Sequence, residues 1–172
     1  QFAFAIFDSF ENNVFLARDR IGIKPLYYSL NNKFIIFSSE LKTIEQSGTI
    51  NFEANVDSYL AYLRHLCIPG DQTGNKNIFK LEPGQYTVIN KNGDIYKKTY
   101  WDPFKFEINN DISEHEAIKK VEELLIKSVE YRKVSDVEVG LFLSGGLDSS
   151  LIGKLMNEGN NSKIKSFNID YE

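Results

Sequence analysis

Ser144-Gly145-Gly146-Leu147-Asp148-Ser149-Ser150 places three hydroxyls, two glycines and a carboxylate in seven consecutive positions. Glycine permits a tight turn and lets backbone N–H groups approach an anion with no Cβ in the way. A helix beginning at Leu147 adds unpaired N–H groups and the positive end of its dipole. The chemistry implied is the gripping of a phosphate chain, with Ser144, Ser149 and Ser150 as hydroxyl donors. Bare phosphate would repel Asp148, so its presence implies a bridging Mg²⁺. The Gly-Lys-Ser/Thr ending of the Walker loop is absent, as is the Gly-x-Gly-x-x-Gly spacing of dinucleotide sites. The same residues also suit an ordinary strand-to-helix turn capped by Asp148 and Ser149, a role that leaves most of these polar groups without work.

Such a loop needs a strand before it and a helix after it. Residues 137–143 read as the strand, 147–158 as the helix and 164–169 as a second strand, the opening of a parallel α/β sheet. The preceding helix carries a capping signature, Ser113 with Glu116 three residues on, and an apolar face of Ile118, Val121, Leu124, Leu125 and Val129. Asn109-Asn110-Asp111 reads as a linker. Upstream the texture differs. Aromatic and β-branched runs at 2–8, 14–18, 26–30 and 34–38, divided by asparagine pairs, predict antiparallel hairpins. A short helix is expected at 40–45, and a second at 57–66, where Leu60, Leu63 and Leu66 recur at helical spacing. Tyr86 to Ile89, Asn92-Gly93 and Ile95-Tyr96 form the clearest hairpin.

The chain has 172 residues, 42% of them hydrophobic and 26% charged, enough to bury a core and without the composition of a disordered tail. A net charge of −4 gives no basic field for nucleic acid or an anionic membrane. No apolar run has the length of a membrane-spanning helix. One cysteine, Cys67, excludes an intrachain disulfide framework and points to a reducing cytoplasm. Its neighbours, Leu66 and Ile68, mark it as a small buried residue. The first residues, already strand-like, and the apolar run near the end both suggest cuts through a larger protein.

Other conspicuous residues take structural readings. Asp19 is expected to pair with Arg18 and Arg20, with Gly22 and Pro25 shaping a turn at the sheet edge. His65 and His115 stand far from partners at metal spacing. The aromatic residues between Leu26 and Phe37 suit strand packing better than base stacking. Glu138 reads as a solvated charge at a strand end.

The Ser144–Ser149 loop resembles the pyrophosphate loop, Ser-Gly-Gly-x-Asp-Ser, of the N-type ATP pyrophosphatases, a superfamily that includes asparagine, GMP and NAD synthetases. Upstream, Phe2 to Asp8, Leu16-Ala17-Arg18-Asp19-Arg20-Ile21-Gly22-Ile23-Lys24-Pro25-Leu26-Tyr27-Tyr28, Phe37 to Lys42 and Lys80 to Tyr86 resemble the later part of a class II glutamine amidotransferase domain. In this order the two halves are similar to the glutamine-hydrolysing asparagine synthetase family over nearly the whole chain.

The resemblance implies a fold of mixed α/β and α+β character. Residues 1–108 would be the later part of an αββα glutaminase domain of the N-terminal-nucleophile type, and residues 109–172 the first βαβ of a Rossmann-like ATP pyrophosphatase domain. It implies glutamine, ATP with Mg²⁺, and aspartate as substrates, asparagine as product through β-aspartyl-AMP, and a cytoplasmic enzyme able to form a homodimer. It assigns ATP and pyrophosphate binding to Leu143, Ser144, Gly145, Gly146, Asp148, Ser149 and Ile169, with Asp148 reaching Mg²⁺ through pyrophosphate. Asn168 and Asp170 depart from the commoner Ser-Ile-Gly around Ile169. The glutaminase cysteine of the family is N-terminal, and internal Cys67 lacks the α-amine that would serve as its base. Two alternatives stay open: a sibling amidotransferase acting on another carboxylate, such as a sugar acid or a secondary-metabolite precursor, and an inactive fragment that at most binds ATP.

Overall fold

The computed structural model describes residues 1–31, 33–108, 111–158 and 164–169. Two compact units divide the chain, Gln1–Glu107 and Ile108–Glu172.

The first unit is built on two antiparallel sheets. Strands β1 (Ala3–Asp8), β2 (Asn13–Arg18), β6 (Gln85–Ile89) and β7 (Ile95–Thr99) form one, in the order β1-β2-β6-β7. Strands β3 (Tyr27–Leu30), β4 (Ile35–Ser38) and β5 (Phe79–Lys80) form the other, in the order β4-β3-β5. Leu16 and Ile89 meet Leu26, Tyr28 and Leu81 in the core, with Ala3, Ala5 and Val14 packed around them. The register that turns Ala5 and Leu16 inward turns Phe4 and Phe15 outward. On that outer face the Phe4, Phe15 and Tyr86 rings stack at 6.0 and 5.2 Å.

Local side-chain chemistry closes the turns. Asp8 Oδ1 accepts from the Phe10 and Glu11 amides, and Asn31 Oδ1 from those of Lys33 and Phe34. The β6–β7 turn is organised by Asn90, whose Oδ1 accepts from the amides of Asn92 and Asp94, while Gly93 supplies the left-handed φ of 85°.

Asp19 does not pair with its neighbouring arginines. Only 5% exposed, its carboxylate accepts four backbone N–H groups, from Phe2, Ile21, Ile23 and Lys24, at 3.0–3.2 Å. Arg18 turns instead to carbonyls, donating to Lys24, Leu81 and Gly22 at 2.6–2.8 Å. The reason is stoichiometric: a tight loop presents several orphan N–H and C=O groups, and the adjacent ions satisfy one kind each. Burial pushes the Asp19 carboxyl up, but the four N–H groups outweigh it and hold the group below its usual range.

Helices α1 (Leu41–Gln46) and α2 (Val56–His65) lie between β4 and β5 in the chain, and α2 is capped by Asn55 accepting from Ser58 N. The leucine spacing in α2 marks a helix but not a buried face: Leu60, Leu63 and Leu66 are exposed, and Ser58 is the buried residue. Cys67 is likewise exposed. The chain leaves α2 through Leu66 in the left-handed region, and the next carbonyl but one, that of Ile68, is held by the Lys80 ammonium at the loop edge. The cysteine is thereby left on the outside.

A close approach completes this unit. Gly84, at φ +66°, has the Trp101 carbonyl oxygen 2.3 Å from where a Cβ would stand. Its own carbonyl accepts from the Tyr100 and Trp101 amides. The Tyr100 hydroxyl then donates to the Arg18 carbonyl at 2.6 Å.

In the second unit, α3 (Glu114–Lys133) begins at a capping box in which Ser113 Oγ accepts from Glu116 N and the Glu116 carboxylate accepts from Ser113 N. Val129 packs with Leu155 and Met156 of α4 (Leu147–Asn157), while Ile118, Val121 and Leu124 of the expected apolar face remain exposed. Strands β8 (Leu141–Phe142) and β9 (Ser166–Phe167) pair in parallel. Both are shorter than the runs 137–143 and 164–169 suggest, because ladder bonds join only 141–143 to 165–167. Glu138 is exposed and bonded to Lys165. The linker expected at Asn109-Asn110, and Asp170, lie outside the described residues.

Candidate functional site

The glycine loop stands at the carboxyl end of the parallel pair, where a doubly wound sheet leaves room for ligands. The Leu143 amide donates to the Phe167 carbonyl at 2.8 Å and ends the ladder. Beyond it Gly145 takes φ +77°, with no atom within 4 Å of a built Cβ. Gly146 serves as the N-cap of α4 without any side-chain cap bond. The first intrahelical bond runs from Ser150 N to Gly146 O at 3.1 Å. The amides of Leu147, Asp148 and Ser149 therefore open toward the loop, as the first turn of a helix leaves them.

Two serines are already tied within the turn. Ser149 Oγ donates to the Gly146 carbonyl at 3.1 Å, and the Ser144 and Ser149 hydroxyls lie 3.1 Å apart. Asp148 is exposed in the first turn of α4. Behind the loop α4 is seated close on the sheet: a Cβ at Gly153 would stand 2.9 Å from Leu141 Cδ2.

Beside the loop opens a hollow of about 260 Å³ lined by Phe142, Leu143, Ser144, Phe167, Asn168 and Ile169. The Phe142 and Phe167 rings, partners in the ladder, lie 6.1 Å apart. Phe167 keeps this place because residue 140 is glycine; a Cβ there would come within 2.7 Å of its ring.

The structure thus brings Ser144, Gly145, Gly146, Asp148 and Ser149 into one turn and sets Leu143 and Ile169 in the adjoining hollow. Phe142 and Phe167 are not singled out by sequence reasoning; the signal available was their position at the ends of two parallel strands. Among the described residues no group of three or more His, Cys, Asp or Glu can hold a metal, and no helix is long and apolar enough to cross a membrane. What the arrangement presents is a glycine turn, the open amides of the first turn of α4 and one exposed carboxylate.

The glutamine amidotransferase domain model matches residues 1–101, and the asparagine synthase model residues 120–172. A putative glutamine-hydrolysing asparagine synthetase of Methanocaldococcus jannaschii is 38% identical over 99% of this chain and 33% of its own length. Asparagine synthetase 1 of Bacillus subtilis is 34% identical over 99% of the chain and 26% of its own length. The amidase chry2 of Gibberella zeae is 32% identical over 91% and 23%. The chain therefore spans about a quarter to a third of the curated relatives it matches.

Proposed function

Because the chain belongs to the glutamine amidotransferase domain family and carries the opening of an asparagine synthase domain behind it, we propose that the whole protein forms an amide from a carboxylic acid, using ATP and ammonia drawn from glutamine. Residues 1–108 are assigned to the amidotransferase half and 109–172 to the synthetase half. The acid is aspartate and the product asparagine.

The observation that carries this reading is the turn at Gly145, open to approach and facing the free amides of α4 at the end of a parallel strand pair. In the reaction the acid's carboxylate oxygen attacks the α-phosphorus of ATP. An acyl adenylate forms and pyrophosphate departs; ammonia then displaces AMP. This chain's part is to hold the departing pyrophosphate. Gly145 and Gly146 let it reach the amides of residues 147–149, and Ser144, Ser149 and Ser150 add hydroxyls. Asp148 would hold Mg²⁺ carried by the pyrophosphate, which supplies charge stabilisation there. Leu143 and Ile169 wall the adenine. The glutaminase nucleophile is not among these residues, since Cys67 stands exposed in an internal loop. A reducing cytoplasm suits a chain with one unpaired thiol.

A second reading keeps the chemistry and changes the acid to a secondary-metabolite precursor; the likeness to the amidase chry2 favours it. ATP–pyrophosphate exchange on the full-length protein, with aspartate against a panel of carboxylic acids, decides between the two. Exchange with aspartate alone supports asparagine synthesis. Exchange with another acid alone supports the second reading, and absence of exchange with every acid despite bound ATP removes both.

A further inference from the structure

Helix α2 faces its own unit with small residues and the outside with large apolar ones. Ser58 is buried and Ala61 half-buried, whereas Val56, Tyr59, Leu60 and Leu63 are exposed, Leu63 to 76%. Positions 56, 59, 60 and 63 form one stripe of a 3.6-residue helix, and exposed Leu66 continues it past the helix end. Asp57 stands in the first turn and Arg64 in the last. Seven residues apart, they lie two turns from each other on the same flank of the stripe. Neither belongs to a salt bridge among the described residues.

An apolar stripe with opposite charges at the two ends of one flank is complementary to a second copy of itself. Two such helices packed antiparallel about a two-fold axis meet stripe on stripe and bring like flanks together. Positions 57 and 64 lie equally far from the midpoint between Leu60 and Ala61, so they then stand opposite each other. Asp57 of each copy meets the partner's Arg64, twice by symmetry, and the helix dipoles oppose. A parallel pairing sets unlike flanks together and leaves both charges unmatched. Burying an exposed side chain of this size removes on the order of 100 Å² from water, so the stripe and Leu66 offer roughly 500 Å² per partner before their polar flanks are counted. That is most of the about 800 Å² per partner of a standard interface. We propose that the outer face of α2 is a self-association surface, on which a second copy of this chain docks its own α2 antiparallel. None of these residues belongs to the glycine loop, so the inference is independent of the ATP reading.

Sedimentation equilibrium of the full-length protein tests it in wild type, Leu60→Asp, Arg64→Asp and the exchange Asp57→Arg with Arg64→Asp. Wild type is expected to dimerise. Leu60→Asp, nearest the two-fold axis, should raise the dissociation constant about a hundredfold, as a charge at the centre of an apolar interface does. Arg64→Asp sets two carboxylates face to face at both ends and should weaken the dimer about tenfold. The exchange restores opposite charges and should return the constant to within about threefold of wild type. Circular dichroism confirms that each variant is folded, and the charge variants carry the test should Leu60→Asp fail to fold. A monomeric wild type overturns the inference. So does a dimer that every variant leaves unchanged, which gives the face to another part of its own chain or to a different protein. A dimer weakened by Arg64→Asp and not restored by the exchange overturns the antiparallel pairing.

Discussion

The Ser144 hydroxyl sits 3.1 Å from the Ser149 hydroxyl, so the last residue before the glycines and the third residue of α4 clamp the turn from both sides. The clamp holds both hydroxyls at the turn, beside the backbone amides that the first turn of α4 leaves open. Asp148, beside it, is exposed and makes no packing contribution to the small core of Val129, Leu155 and Met156. Asp148→Ala should therefore abolish ATP–pyrophosphate exchange in the full-length protein while leaving its melting temperature within a degree or two. Exchange at the wild-type rate would remove Asp148 from the site.

Gly145→Ala separates strain from sterics. Space around the position is empty, so the cost is that of an L-residue at φ +77°, about 1 kcal/mol. The strain is relieved by turning the loop out of its anion-facing shape. Nucleotide affinity should fall about tenfold or more, a loss of the order of one charge-assisted hydrogen bond, with only a slight change in stability by chemical denaturation.

Asp19 ties four amides of the first unit to one carboxylate. Asp19→Asn should cost about 3 kcal/mol at neutral pH, since hydrogen bonds to a buried charge are worth roughly 1.5–3 kcal/mol each and part of the acceptor capacity remains. The sign of the pH effect follows from a folded-state pKa held below the ordinary 3.8. The stabilisation is full above the unfolded value and is lost as pH falls through the folded one. Urea titrations carried down through the acid range should show wild type losing stability that the substituted protein never had, so that the two converge.

Thr87 is fully buried, and its hydroxyl has no hydrogen-bond partner among the described residues. Opposite it in the ladder stand Leu16 and Lys97. Thr87→Val keeps the shape and removes the unsatisfied oxygen, which should raise stability by about 1 kcal/mol in thermal unfolding. A loss of similar size would mean that a buried water serves the hydroxyl.

Gly84→Ala meets both obstacles at once, φ +66° and a carbonyl oxygen 2.3 Å from the added carbon. A clash with backbone cannot be relieved by a rotamer change, so the loss should exceed that of Gly145→Ala, about 3 kcal/mol or more, and lower the melting temperature by several degrees.

Much of this architecture was legible because its causes are local. The Ser113–Glu116 box, the hairpin around Asn90 to Gly93 and the strand–turn–helix order about Gly145 each depend on a few adjacent residues. What escaped reading depends on partners distant in sequence. Asp19 sits between two arginines, and no local rule says that its partners are the amide of Phe2 and those of the following loop. Leu60, Leu63 and Leu66 repeat at helical spacing, yet periodicity reports a face and not whether anything packs on it. The extent of β8 is set by how far β9 runs beside it. In the candidate site the loop residues announce themselves by composition, whereas Phe142 and Phe167 meet only through the register of two strands.

The close approach at Gly84 involves the chain's single tryptophan. Trp101 lends its carbonyl to that contact and holds its ring 5.9 Å from Phe106. The protein thus carries an intrinsic fluorophore at a close backbone junction, and its emission maximum should shift to longer wavelength as that junction opens. No label is needed to watch the first unit come apart.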